Sequence, residues 1–202
     1  MILSKKSIEK LIEDEKICIR PLLDQGQINQ VSVDLRLGTD FFVSTKGRDP
    51  FINASLNNSK YGSPEVFFQE TRRNIGETFI LYPNQTVLAS SLEYIKIPSN
   101  IMGTLSIRST YARMGISYSS IIQPGYVGCV SLELNNNNNN PINLTVGACI
   151  IQIRFSELSE DQNYFKKERK FMCQVRPVIP SISNEKELKL LNKIWESDNK
   201  RS

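Results

Sequence analysis

Between Thr78 and Phe155 seven short apolar segments follow one another, TFILY, TVLASSLEYIKI, IMGTLSI, GISYSSII, GCVSLEL, INLTV and ACIIQIRF, parted by turn signals. Many short strands with little helix between them close into a barrel or stack as a jelly roll, so the chain is expected to be mainly β. Upstream, VSVDLRLG (31–38) alternates strictly. Val31, Val33, Leu35 and Leu37 share one face and Ser32, Asp34 and Arg36 the other, which predicts a half-buried strand ending at a glycine turn. Residues 44–76 mix Gly, Pro, Asn and charge without a sustained period, an irregular excursion with a short strand at EVFFQE. The asparagine run 135–140 reads as a solvated loop between two strands.

Helices are expected only at the ends. Ile8, Leu11 and Ile12 fall on one face of residues 4–16 behind a candidate Ser4 cap, and Leu188, Leu191 and Trp195 form a stripe over 184–196. That stripe could pack on its own chain or on a neighbouring subunit. At 202 residues one domain is the default, spanning 1–182, with 183–202 as a C-terminal helical extension. No run approaches the roughly 18 apolar residues needed to cross a bilayer. MILSKKSIEKLIEDEK lacks the apolar core of a signal peptide, so a cytoplasmic protein with no membrane partner is expected. Cys18, Cys129, Cys149 and Cys173 form no CxxC pair and read as buried free thiols.

A net charge of +4 without any Lys/Arg run suits a small phosphorylated ligand better than a nucleic acid. The chain has no histidine, which removes the commonest general base and the commonest metal ligand. Catalysis would have to rest on carboxylates, hydroxyls, lysines or arginines. IRSTYARMGI (107–116) gathers Arg108, Ser109, Thr110 and Arg113 between two strands. Guanidinium forks, hydroxyls and loop amides match a polyphosphate; a basic surface turn is the plain alternative. In CVSLEL, Val130, Leu132 and Leu134 share one face, so Ser131 and Glu133 point to the other. A strand glutamate is ordinarily just a solvated side chain. QPGYVG, immediately before, offers a tight turn and an aromatic that could cover a ligand.

In order along the chain, ILSKKSIEKLI, INQVSVDLRLG, RSTYAR, PGYVGCVSLEL and the set Tyr164, Lys170, Phe171, Gln174, Pro180 and Ser181 resemble the dCTP deaminase branch of the trimeric dUTPase superfamily. The resemblance spans roughly residues 2–182. It implies a distorted β-barrel or jelly roll assembled as a homotrimer, with active sites between subunits and the nucleotide bound as its magnesium complex. It implies a catalytic role for Glu133, Ser109 and Arg113. Substrate contacts would come from Arg108, Ser109, Thr110, Arg113, Gln123, Ser131, Leu132, Tyr164, Lys170 and Gln174. The family's deaminases use no zinc, in keeping with a chain that lacks the PCxxC pair of zinc deaminases. The expected reaction is hydrolytic deamination of dCTP to dUTP and ammonia, with dUTP and dTTP as other nucleotide ligands.

Three departures bear on that expectation. Thr110 replaces a serine; dUTPases have glycine there, so a hydroxyl leans toward deamination. The stretch Gly115–Pro124 is shorter than in the family's deaminases, where this hairpin reads the base through its main chain. Gln123 stands where the family has an aspartate that binds the 3′-hydroxyl and serves the diphosphatase reaction; an amide can hydrogen-bond a hydroxyl but cannot act as a base. Deamination therefore ranks ahead of dUTP diphosphatase or dual activity, and ahead of a non-catalytic nucleotide-binding regulator.

Overall fold

A computed structural model describes residues 1–54, 62–162, 173–180 and 186–199. They fall into two compact units, residues 1–44 with 70–178, and residues 45–69 with 179–202.

The first unit opens with helix α1 (Lys5–Glu13), capped by Ser4, whose Oγ accepts from the Ser7 amide, and with Ile8 fully buried. Short strands β1 (Cys18–Arg20), β2 (Val33–Arg36) and β3 (Asp40–Ser44) follow. Strand β4 (Phe68–Arg72), in the unit from Glu70 onward, precedes β5 (Thr78–Leu81), β6 (Thr86–Lys96) and β7 (Ile101–Ile107). A single helical turn, α2 (Ser109–Arg113), leads to β8 (Ile116–Ser117), β9 (Ser119–Ile122), β10 (Val127–Asn136), β11 (Ile142–Thr145) and β12 (Cys149–Glu157). All seven apolar segments of the sequence are strands, one of them divided into β8 and β9.

The expected barrel or jelly roll is realised as three sheets. The largest runs β4-β3-β6-β10-β8 with β1 also on β6; another runs β2-β12-β7-β9; β11 pairs with β5. Their inner faces supply one core, with Leu35, Leu37, Phe41, Leu81, Leu132, Leu134, Ile150 and Phe155 at zero exposure. In the second unit, Phe67 is buried and its carbonyl accepts from Thr45. Helix α3 (Lys186–Asn199) extends the expected C-terminal helix; Leu191 and Trp195 are exposed, while Leu188 lies outside the described side chains. Among the described residues no helix is long and apolar enough to cross a membrane.

The alternation in VSVDLRLG is present, but its polar face is not solvated. Asp34 is 7% exposed, whereas Val31, which the pattern assigns to the core, lies before β2 and is exposed. The reason is a buried ionic network. Arg36 Nη1 donates to Glu93 Oε1 at 2.9 Å and to Gln27 Oε1 at 2.6 Å, and the Arg36 amide donates to Glu93 Oε2 at 2.8 Å. Gln27 Nε2 donates to the same Glu93 and to the Asp34 carbonyl. Glu93 has zero exposure, and its burial pushes its carboxyl above the ordinary range despite the arginine. Removing one member of such a buried pair strands the other, so Glu93→Ala should cost about 3–5 kcal/mol in denaturant unfolding. A loss below about 1 kcal/mol would show that Arg36 finds water instead.

The asparagine run also departs from expectation. Asn135 and Asn136 end β10, and Asn136 is buried with its amide on the Leu81 and Asn140 carbonyls. Asn138 accepts from the Asn140 amide and donates to the Met114 carbonyl. These side chains build the turn themselves, as short amides do. Gly115, at φ +99, is needed where the Asn138 backbone passes against it.

Candidate functional site

Strand β10 carries the site's carboxylate. Val130, Leu132 and Leu134 enter the core, leaving Ser131 and Glu133 on the outer face. The register against β6 shifts between Cys129 and Ser131, and there the Val130 amide donates to Ser91 Oγ at 2.8 Å instead of to a strand carbonyl. Beyond the irregularity Glu133 pairs with Leu88 and Asn135 with Thr86. Glu133 is exposed, yet enough protein surrounds the carboxyl for lost hydration to push its pKa up.

A polar socket adjoins it. Ser131 Oγ donates to Gln174 Oε1 at 2.9 Å, while Gln174 Nε2 is buried with no partner among the described residues. The segment at 173–174 is held along the start of β10 by the Cys173 amide on the Val127 carbonyl and the Cys129 amide on the Gln174 carbonyl. Gly128 permits this approach, since a Cβ there would meet the Gln174 backbone at 3.0 Å. Tyr126 is not free to close over a ligand: its hydroxyl donates to the Cys129 carbonyl at 2.6 Å and its ring packs on the core. Gln123 is half-buried, in the turn whose carbonyl accepts from the Tyr126 amide.

The basic cluster belongs to α2 rather than to an irregular turn. Arg108 is its N-cap residue; Ser109, Thr110 and Arg113 are exposed on it. The Arg108 guanidinium is held from behind: Nε lies 3.3 Å from Asp34 Oδ2 and Nη1 donates to the Cys149 carbonyl at 3.2 Å, with the side chain still 43% exposed. Two of its five N–H groups are thereby engaged and the rest have no partner among the described residues. Nothing in the sequence pattern marks Asp34 as the carboxylate behind Arg108, because strand alternation assigns it to a solvated face.

Within one chain the structure brings together Ser131, Glu133 and Gln174, and separately Arg108 with Asp34. It does not bring Arg113 to Glu133; among the described residues no basic side chain forms an ion pair with that carboxylate. Leu132 faces the core, so only its main chain can meet a ligand on the outer face. Tyr164 and Lys170 lie outside the described residues. Sequence reasoning missed Tyr118, whose hydroxyl donates to the Ser131 carbonyl at 2.6 Å and which lies close enough to Glu133 for the two to interact electrostatically. Among the described residues no group of three or more His, Cys, Asp or Glu is placed to hold a metal ion.

Comparison with known proteins bears on this arrangement. A family model described as dCTP deaminase-like matches residues 2–158. The chain is similar to a Methanobrevibacter smithii protein named "dCTP deaminase, dUMP-forming", 31% identical over 195 residues that cover 93% of this chain and 98% of the relative. A Dictyoglomus turgidum protein of the same name is 35% identical over 174 residues, 83% of this chain and 87% of its own. A Colwellia psychrerythraea protein named "dCTP deaminase" is 32% identical over 201 residues, 93% and 99% of the two chains. Among solved structures, the 2′-deoxycytidine 5′-triphosphate deaminase from Agrobacterium tumefaciens superposes with a TM-score of 0.57 at 22% identity over 76% of this chain, a likeness of fold. The chain spans 46% of that solved chain.

Proposed function

The chain belongs to the dCTP deaminase-like family, and on that premise we propose that it hydrolyses the 4-amino group of dCTP, giving dUTP and ammonia. The observation that carries the proposal is the Glu133 carboxyl, its pKa raised by lost hydration, on the same face as a Ser131–Gln174 socket whose buried Nε2, with its two N–H groups, has no partner among the described residues. A buried donor without a partner costs free energy that a ligand oxygen recovers. A hydroxyl or carbonyl of the nucleotide fits it.

Proton bookkeeping assigns the work. Water forms the new bond at C4 while one of its protons passes to Glu133 and on to N3. The remaining hydroxyl proton travels by the same carboxylate to the amino nitrogen, the C4–N bond breaks, and ammonia leaves behind a carbonyl. Ser109 holds the water. Arg108, kept in place by Asp34, binds phosphate oxygens with its free N–H groups, joined by Lys170; Thr110 and Tyr164 add contacts to the phosphates and sugar, and Gln123 to the 3′-hydroxyl. The substrate is the magnesium complex of the nucleotide, its ion held by phosphate oxygens and water. Arg113 stabilises the ionised Glu133 from a neighbouring subunit of a homotrimer, which is why one chain alone leaves the two apart.

Because Glu133 must begin ionised, kcat/KM should rise with pH through the carboxyl's pKa, which burial raises and the neighbouring subunit's Arg113 opposes, so that Arg113→Gln should move the acidic limb to higher pH. The test is incubation with dCTP and magnesium, following ammonia, the cytosine-to-uracil absorbance change and pyrophosphate. Ammonia with dUTP is expected. The dUMP-forming names of two relatives favour a second reading, in which pyrophosphate appears in step with ammonia. Gln123 argues against it, as an amide cannot activate water at a phosphate. A nucleotide that binds without turnover would overturn both and leave a regulator.

A further inference from the structure

The stretch that departs from the family's deaminases, 115–124, contains Tyr118 at the break between β8, which pairs with β10, and β9, which pairs with β7. Its ring packs on the core. Its hydroxyl donates to the Ser131 carbonyl at 2.6 Å, and Ser120 reaches the same phenol as a side-chain hydrogen-bond partner. Burial pushes the phenol's pKa far up, so it stays neutral across the working range. Ser131 and Glu133 are alternate residues of one strand and so share a face. Among the described residues of one chain no basic side chain pairs with Glu133, and the one charge the proposed trimer brings to it, Arg113 of a neighbouring subunit, is the same in wild type and in the variants below. Opposite Glu133 on β6 stands Leu88, and opposite Asn135 on β8 stands Ser117. The titratable groups that act on the Tyr118 phenol are Glu133 and Tyr126, with no basic residue among them.

We propose that Tyr118 is a positioning residue: its hydroxyl pins the β8–β9 junction to the Ser131–Glu133 stretch of β10, and its ring walls one side of the Glu133 carboxyl from water. The two functions are separable, because phenylalanine keeps the wall and removes the pin. Without the pin the β8–β9 junction is held on β10 only by the two-residue pairing of β8, and a binding surface it helps to shape holds the nucleotide less well. Without the wall, water solvates the carboxylate and lowers the cost of ionising it. The proposal rests on the reading of Glu133 as proton carrier, but its central test does not need turnover.

That test is a 13C-carboxyl NMR titration of Glu133 in the full chain, with the signal assigned by its loss in Glu133→Gln. In Tyr118→Phe the midpoint should stay within about 0.3 pH unit of wild type, while KM for dCTP rises about three- to tenfold at nearly constant kcat. In Tyr118→Ala the midpoint should fall by about one pH unit. If the alanine variant does not fold, Tyr118→Val serves, with an expected fall of at least about half a unit. A wild-type midpoint in a folded Ala or Val variant overturns the wall, and an unchanged KM in the Phe variant overturns the pin. If the wild type turns over no nucleotide, the proposed reaction fails, yet the titration still decides what Tyr118 does to Glu133.

Discussion

Glu133→Gln should lower the rate of dCTP deamination by about 10⁴-fold and change the dissociation constant for the nucleotide by no more than about threefold. Glutamine has the shape of the carboxylate, keeps an acceptor and gains a donor, so the socket made by Ser131 and Gln174 is left in place. What it loses is the capacity to take a proton from water and return it to nitrogen. The reaction needs that capacity twice, at water addition and at ammonia departure, which places the expected loss at the upper end for a general acid–base group. The residue sits on the outer face of β10 while its neighbours, Leu132 and Leu134, carry the core, so the change should leave stability almost untouched. Isothermal titration with dCTP and magnesium, beside an ammonia assay, separates binding from chemistry. Turnover within about tenfold of wild type would remove Glu133 from its role.

The architecture was legible because its strands are short and bounded by strong turn residues; IMGTLSI matches β7 residue for residue. The Ser4 cap and the outward face of Ser131 and Glu133 were equally readable, since both depend on local periodicity. What the sequence hid depends on which surfaces are covered by segments remote along the chain. Asp34 and Arg36 look solvated by alternation, and instead Asp34 backs Arg108 and Arg36 pairs with the buried Glu93. Asn136 looks like part of a low-complexity loop and is a buried structural amide. Tyr118 was lost for a similar reason: a tyrosine in a hairpin carries no signal that its hydroxyl will meet a carbonyl 13 residues on. The distance between Arg113 and Glu133 was the least readable of all, because the resemblance puts active sites between subunits without saying which chain supplies each group, and the proposed site divides the two between chains.

That division is the central claim, and it is open to direct measurement. Glu133→Gln and Arg113→Ala chains, each given a different tag, are co-expressed, and trimers carrying both tags are isolated. Each variant alone should be inactive. In a cyclic trimer whose sites take Glu133 from one chain and Arg113 from the next, every mixed assembly regains one intact site, so about one third of wild-type specific activity should return. Mixed trimers no more active than either parent would contradict the shared site and place both groups in a single chain.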